Sequence, residues 1–89
     1  MDVAVGMPVA EYLYDEDGEQ EITIIGWIKE IGDEEVTIVE AHAFHRLWGG
    51  SNNLRGHERT VPASKLHGCP TEYRHIVEEV RSQSGQRRG

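Results

Sequence analysis

The stretch ITIIGWIKEIGDEEVTIVEA, residues 22–41, contains the strongest indication of a fold in this chain. It reads as two strands rich in β-branched residues, joined by a glycine-containing acidic turn at residues 32–35. Gly26 lies inside the first of these strands. Because a glycine within a strand often marks a bulge or a sharp bend, we expect the first strand to bend at Gly26 and the sheet to curl there.

The flanking segments continue this pattern of short strands and turns. Residues 7–14 read as an earlier strand that leads into an Asp-Gly turn at residues 15–20. Residues 57–61 read as a later strand, which ends at Pro62 because proline has no backbone N–H to donate. Residues 63–66 suit one helical turn before a short fifth strand. The chain is therefore predicted to be mainly β, a small antiparallel β-barrel of four to five strands.

The C-terminal segment is predicted to be a helix over about residues 71–82. Four apolar residues there have the i, i+3, i+4 and i+7 spacing of an amphipathic helix: Tyr73, Ile76, Val77 and Val80. This stripe is expected to pack on an open end of the sheet. We therefore predict one domain over residues 1–83, followed by a disordered polar tail at residues 84–89.

Length and composition indicate a soluble, cytoplasmic protein. The 89 residues contain no apolar run near the roughly 20 residues of a membrane span, and the first residues lack the basic region of a signal peptide. The one cysteine, Cys69, has no second cysteine for an internal disulfide, which fits a reducing compartment. A chain this short buries a small core, so we expect it to form a homo-oligomer.

Charge is divided unevenly along the chain. The net charge is −7, but residues 1–41 carry twelve acidic residues and one basic residue, whereas residues 42–89 carry four acidic and eight basic residues. This division favours a basic face that binds anions or nucleic acid. The alternative interpretation is that the acidic residues only solvate the hairpin turns.

A long polar connection at residues 42–56, HAFHRLWGGSNNLRG, is predicted to be a functional loop. Aromatic rings stack on bases, arginines bind phosphates and amides read base edges, so this loop and the next strand favour contact with single-stranded RNA. The candidate residues are Arg46, Trp48, Asn52, Asn53, Arg55, His57 and Arg59. In the alternative interpretation, Trp48 packs on the barrel and the arginines neutralise the acidic half.

Histidine and cysteine side chains offer a second chemistry. Four of them could supply the nitrogen and sulfur ligands that zinc takes in structural sites: His42, His45, His67 and Cys69. Their spacing matches no zinc finger or ribbon. We therefore expect no metal and no cofactor, and keep a zinc-binding domain as an alternative.

The pattern G-x-I-x-x-I-x-D-x-x-V-x-I at residues 26–38 resembles the first motif of Sm-like proteins, including bacterial Hfq. Leu54-Arg55-Gly56 resembles the second Sm motif, and residues 57–64 are similar to the last-strand region of Hfq. This resemblance implies a ring-shaped oligomer that is built by edge-strand pairing and binds uridine-rich or adenine-rich single-stranded RNA. It also implies that Asp33 and Arg55 lie near the RNA pocket.

Two other families share parts of the sequence. Residues 12–15, 32–38 and 61–64 resemble Src-homology-3-like barrels, which implies an aromatic groove for proline-rich peptides. The segments IIGWI, VEAH and VPASKL resemble the plasmid-type dihydrofolate reductases. The catalytic Val-Gln-Ile-Tyr stretch of those enzymes would fall on residues 58–61, which read Glu-Arg-Thr-Val and do not match. We therefore predict that the chain is not an enzyme.

The sequence thus favours a non-enzymatic, oligomeric binding module for single-stranded RNA. The first alternative is a protein–protein interaction module that uses the acidic hairpins at residues 15–21 and 33–35, or an aromatic groove. The second alternative is the small zinc-binding domain.

Overall fold

The computed structural model describes residues 3–46 and 49–86, which form one antiparallel sheet and one helix. The strand order across the sheet is β4-β3-β2-β1-β5. The elements are β1 (Pro8–Tyr14), β2 (Gln20–Ile31), β3 (Glu35–His45), β4 (Gly50–Pro62), β5 (His67–Gly68) and α1 (Arg74–Gln86). This arrangement confirms the predicted mainly β, antiparallel fold with a C-terminal helix. Within the described residues, no helix has the length and apolar character needed to cross a membrane.

The sheet curls around a small apolar core on its inner face. This core contains Val9, Ile28, Val36, Ile38, Val61 and Leu66. Val9 on β1 and Val61 on β4 belong to the same cluster, although β2 and β3 separate these strands in the sheet. The sheet must therefore bend until β4 approaches β1. Val36 and Ile38 share the inner face, because side chains two residues apart on a strand point to the same side.

The opposite face of the sheet is covered by α1. Val77 on the helix packs with Ala10, Ile25 and Cys69, and aromatic side chains surround this second cluster. Phe44 and Tyr73 stack with ring centroids 4.6 Å apart. The predicted apolar stripe is therefore confirmed as the packed side of the helix.

The helix differs from its predicted bounds at both ends. A 3-10 turn over Thr71–Tyr73 precedes α1, and the helix then continues to Gln86. Residues 84–86, which were predicted to be a disordered tail, are thus helical, and residues 87–89 lie outside the described part of the chain. The helix extends because adding a residue to a formed helix costs far less than nucleating one, even where the residues are polar.

Gly26 is required by a close approach between strands. A Cβ atom at this position would lie 2.1 Å from the carbonyl oxygen of Val39 on β3. The register shifts here, because Ile25 pairs with His42 and Gly26 pairs with Glu40. Ala41 is therefore the extra residue, and the bulge lies on β3 rather than on β2. The irregularity thus lies at the predicted glycine, and at this position the extra residue belongs to the partner strand.

The predicted loop over residues 42–56 is wrong, because most of this segment forms a long hairpin. β3 extends to His45 and β4 begins at Gly50, so only four residues lie between the two strands. The cross-strand pairs at this end include Ala43 with Asn52 and Phe44 with Ser51. Polar residues on β4 face solvent here, so the apolar alternation that marks a strand is absent from the sequence.

The chain after β4 follows the prediction. A 3-10 turn at Ala63–Lys65 leads into β5, whose two residues pair with Val9 and Ala10 of β1. β5 therefore covers only a short part of β1 and ends the sheet on that side.

Candidate functional site

The outer edge of β4 is a candidate binding site, because no strand pairs with it within the described residues. β4 is the last strand on its side of the sheet, and its neighbour is β3. Ala63 N–H donates to Glu34 O at 3.0 Å, which fixes this opposed pair as hydrogen-bonded. Hydrogen-bonded and non-hydrogen-bonded pairs alternate along an antiparallel ladder. The bonding pattern of the neighbouring pairs follows from that alternation.

The register identifies which residues of β4 face β3. Val36 pairs with Val61, Ile38 with Arg59 and Glu40 with His57. Counting in steps of two from Ala63, the backbone groups of Val61, Arg59 and His57 point toward β3. The residues between them point the other way. The outer edge therefore presents N–H and C=O of Glu58, N–H and C=O of Thr60, and C=O of Pro62.

Side-chain geometry agrees with this assignment. The hydroxyl oxygens of Thr37 and Thr60 lie 3.3 Å apart, as expected for a non-hydrogen-bonded pair, in which side chains approach more closely. Glu58, Thr60 and Pro62 are all exposed to solvent. Among the described strands, only β3 pairs with β4, so this side of β4 is open to a further strand.

A bulge interrupts the edge of β4 on the N-terminal side of residues 57–62. Between Asn53 and His57, β4 has three residues where β3 has only Ala41. Arg55 has φ +56° and Gly56 has φ +80°. Asn53 Oδ1 accepts a hydrogen bond from Arg55 N–H at 2.8 Å, which fixes the turn. Bulges of this kind limit uncontrolled pairing of edge strands, so residues 57–62 remain as one short accessible segment.

A partly buried ionic cluster holds this segment of β4 in place. Arg59 Nε donates to Glu40 Oε2 at 2.7 Å, and Arg59 Nη2 donates to Glu11 Oε1. His57 Nδ1 lies 3.2 Å from Glu40 Oε1. The side chains of Glu11 and Glu40 are only 4% and 7% exposed. Arg59 thus connects β4 with both β1 and β3 across the inner face.

The charge of Arg59 is stabilised by this arrangement. Burial disfavours the guanidinium ion, but the hydrogen bonds and charges of Glu11 and Glu40 outweigh that effect, and the pKa of Arg59 is raised. Arg59 is therefore charged at neutral pH, and its charge is already matched by two carboxylates.

The other predicted RNA-binding residues are spread along the hairpin. Arg46 forms an ion pair with Glu19 at 3.0 Å, and Asn52 Nδ2 lies 3.2 Å from His45 Nε2. Arg55 is exposed at the bulge, and no described side chain pairs with its charge. Trp48 lies outside the described residues.

Asp33 lies far from Arg55. It occupies the exposed turn between β2 and β3, beside Pro62 at the end of β4. Pro62 is seven positions after Arg55, and a strand rises about 3.3 Å per residue, so roughly 20 Å separates these positions. The structure does not bring Asp33 and Arg55 into one pocket.

The candidate zinc ligands do not converge. His42 stacks on Phe44 with centroids 5.8 Å apart, and His67 lies against Tyr12. Cys69 is buried, and this burial raises the pKa of its thiol although Arg74 has the opposite effect. Across residues 3–46 and 49–86, no group of three histidine, cysteine, aspartate or glutamate side chains is arranged to hold a metal ion.

A small cleft lies at the other end of the sheet. It has a volume of about 290 Å³ and includes Tyr12 and Tyr14 of β1 with Lys65 of the 3-10 turn. These tyrosines are the residues that the Src-homology-3-like resemblance would place in a peptide groove.

Two features were missed by sequence reasoning. Glu40 stands inside the apolar run VTIVEAHA, and a charged residue in such a run signals a buried partner. The free edge of β4 had no sequence signal, because strand order is set by the tertiary fold.

Comparison with protein-family models, with curated proteins and with solved structures found no match for this chain.

Proposed function

We propose that the chain is a non-enzymatic protein-binding module that pairs the outer edge of β4 with an extended strand of a partner. The observation that carries this proposal is the row of outward backbone groups on Glu58, Thr60 and Pro62, all on exposed residues. Strand addition of this kind gives affinity through backbone hydrogen bonds and specificity through the side chains beside them.

The size of the edge sets the strength of the contact. Two N–H groups and three C=O groups support up to five hydrogen bonds, each contributing about 1 kcal/mol net. Ordering the two partners offsets much of this gain, so side chains must supply the rest. The exposed acidic turn at residues 33–35 lies beside Pro62 at the end of the edge. A partner strand with a basic residue near that end is therefore favoured.

RNA binding has less support from the geometry. Phosphate contacts dominate affinity for nucleic acids, and they require cations that are not already paired. Arg46 pairs with Glu19, and Arg59 pairs with Glu11 and Glu40. Arg55 keeps an exposed charge without an ion pair in the described region, but the chain carries a net charge of −7. RNA binding stays a prediction, with Arg55 as the residue that tests it.

Thr60→Pro should abolish retention of the partner strand. Proline removes the outward N–H of Thr60, while the ladder bonds of Arg59 and Val61 to β3 remain, and proline is tolerated on an edge strand. The measurement is retention of proteins from a source-organism extract on the immobilised wild type and variant, with mass spectrometry of the bound fraction. Circular dichroism of the variant checks that the sheet is intact.

Thr60→Val is the matched control, since it keeps the backbone N–H and removes only the hydroxyl. A protein retained by the wild type and by Thr60→Val, but lost from Thr60→Pro, supports strand addition. Equal retention on all three proteins would show that the edge of β4 is not the binding surface.

Arg55→Ala tests the RNA interpretation separately. We expect uridine-rich and adenine-rich oligonucleotides to bind the wild type and Arg55→Ala equally weakly at physiological salt, measured by fluorescence anisotropy. Tight binding by the wild type that Arg55→Ala removes and Thr60→Pro leaves unchanged would instead identify a nucleic-acid module.

A further inference from the structure

We propose that the edge of β1 next to β5 binds the C-terminal end of an extended peptide, whose carboxylate is held by Lys65 and His67. The peptide lies antiparallel to β1 and continues the line of β5. This site is at the opposite end of the sheet from the edge of β4. The inference goes beyond the proposed function, because neither site requires the other.

Two backbone hydrogen bonds fix the directions of the backbone groups along β1. Ile28 N–H of β2 donates to Met7 O at 3.1 Å, and Cys69 N–H donates to Pro8 O at 3.4 Å on the other side of the chain. Backbone groups of successive residues on a strand point to alternate sides. The even-numbered residues of β1 therefore turn their N–H and C=O groups away from β2 and toward the side of β5.

β5 is too short to use all of these groups. It pairs with β1 only as far as Ala10, which lies opposite His67. Tyr12 and Tyr14 are the next even-numbered residues, and no described strand pairs with them on this side. Their two N–H and two C=O groups form an open edge that supports four hydrogen bonds with an added strand.

A cleft of about 290 Å³ lies along this open edge and includes Tyr12, Tyr14, Lys65 and His67 in its lining. The rings of Tyr12 and His67 are in contact, with centroids 5.1 Å apart. Lys65 is exposed to solvent, and within the described residues its ammonium group is in no ion pair. The open edge thus has an unmatched cation beside it.

The acidic residue in the described lining of the cleft does not match this cation. That residue is Glu11, whose side chain is only 4% exposed. Its Oε1 atom already accepts a hydrogen bond from Arg59. The complement of Lys65 is therefore an anionic group that a ligand brings into the cleft.

The start of β5 sets the direction of the peptide. A strand added opposite Tyr12 must end there, because His67 already occupies the position opposite Ala10. Lys65 is two residues before His67 in the chain and stands near the same end. An antiparallel peptide brings its C-terminal carboxylate to this end, whereas a parallel peptide brings its N-terminal ammonium group. The charge of Lys65 attracts the first and repels the second.

The register follows from the same limit. The C-terminal residue lies opposite Tyr12, where its carboxylate accepts from Tyr12 N–H and its own N–H donates to Tyr12 O. The residue two positions earlier forms the same two bonds with Tyr14. The side chains of these two peptide residues share the face of the tyrosine rings, so apolar side chains are favoured. One position earlier, the peptide reaches the turn that carries the exposed Glu16 and Asp17, which favours a basic residue.

Fluorescence anisotropy with a synthetic peptide tests the site. The probe is N-terminally labelled Gly-Gly-Lys-Val-Thr-Val with a free C-terminal carboxylate, and the matched control is the same peptide with a C-terminal amide. We expect saturable binding of the free acid. The amide should bind at least about tenfold more weakly, because hydrogen bonds to a charged acceptor are the stronger ones.

Lys65→Met should weaken binding of the free acid about tenfold and leave binding of the amide unchanged. Lys65 is exposed, so its replacement should leave the fold intact, which circular dichroism checks. Lys29→Met is the matched control, because it removes the same charge from another exposed site. It should leave the affinity for both peptides unchanged.

Equal affinity for the free acid and the amide would overturn the carboxylate assignment. Absence of saturation by the free acid up to about 1 mM would overturn the site itself. Tighter binding of a proline-rich peptide, whose prolines have no N–H to pair with β1, would also overturn strand addition here. Thr60→Pro should bind the free acid as tightly as the wild type. If Thr60→Pro loses the peptide, the peptide binds the edge of β4, and the assignment to β1 is wrong.

Discussion

Arg59→Met should lower the free energy of unfolding by about 2–4 kcal/mol at neutral pH, somewhat less than the cost of removing one partner of a fully buried ion pair, because the side chain of Arg59 is itself 35% exposed. Arg59 donates to Glu40 and to Glu11, whose side chains are 7% and 4% exposed. The variant leaves both carboxylates buried without the guanidinium group, although His57 Nδ1 still lies 3.2 Å from Glu40 Oε1. Chemical denaturation followed by circular dichroism measures the change.

The contribution of the Arg59 charge should be constant near neutral pH. Arg59 in the wild type has a raised pKa, so the stability that its charge supplies is fully present below the pKa of free arginine and is lost only as the pH rises through the raised pKa. The loss of stability in Arg59→Met should therefore be similar at pH 7 and pH 8. A loss that shrinks strongly over this interval would contradict the account.

Two controls separate charge from packing. The triple variant Glu11→Leu, Glu40→Leu, Arg59→Met removes all three charges and should regain most of the stability, since buried ion networks are often replaced by apolar residues at little cost. Lys29→Met breaks the exposed pair with Glu58 and should change stability by less than about 1 kcal/mol. If Lys29→Met is as destabilising as Arg59→Met, burial is not the cause.

The structural role and the proposed binding role of β4 fall on alternate residues of the strand. Arg59 and Val61 turn their backbone groups toward β3 and their side chains toward the inner face. Glu58 and Thr60 turn their backbone groups outward and their side chains toward solvent. Arg59→Met should consequently leave the edge intact wherever the variant is folded, and Thr60→Pro should leave the ionic cluster intact.

The sequence was informative where side-chain patterns are local. β-Branched alternation identified β2 and β3, and the i, i+3, i+4 pattern identified the packed face of α1. Gly26 marked the place where the register shifts. Each of these signals lies within a few residues of the feature that it predicts.

The remaining features depend on contacts between distant residues. Arg59 and Glu11 are 48 residues apart in the chain. The structural role of Arg59 could therefore not be predicted from the arginine-rich segment that suggested RNA binding. The hairpin of β3 and β4 was missed because residues 51–53 of β4 are polar and exposed, so this part of the strand lacks apolar alternation. Strand order alone exposes the edge of β4, and strand order is a property of the whole sheet.

Gly26→Ala is expected to be the most damaging change that adds a single carbon atom. The new Cβ would lie 2.1 Å from Val39 O, 3.0 Å from Val39 C and 3.1 Å from Glu40 Cα. All three obstacles are backbone atoms of β3, so no side-chain rotation relieves the clash. Overpacking typically costs about 1–3 kcal/mol and more where nothing yields, so we expect at least about 3 kcal/mol. For a domain of this size, the melting temperature should fall by roughly 12–24 °C.

The control for Gly26→Ala is Gly68→Ala on β5, where a Cβ atom would meet nothing within 4 Å. Both changes reduce the backbone freedom of the unfolded chain equally, so their difference reports the clash in the folded state. We expect Gly68→Ala to shift the melting temperature by only a few degrees. If both variants melt together near the wild type, β2 and β3 can separate at Gly26 without cost. Glycine is necessary at position 26 only if the close contact between Gly26 and Val39 cannot relax. That outcome would therefore show that the bulge at Ala41 does not depend on the absence of a side chain at position 26.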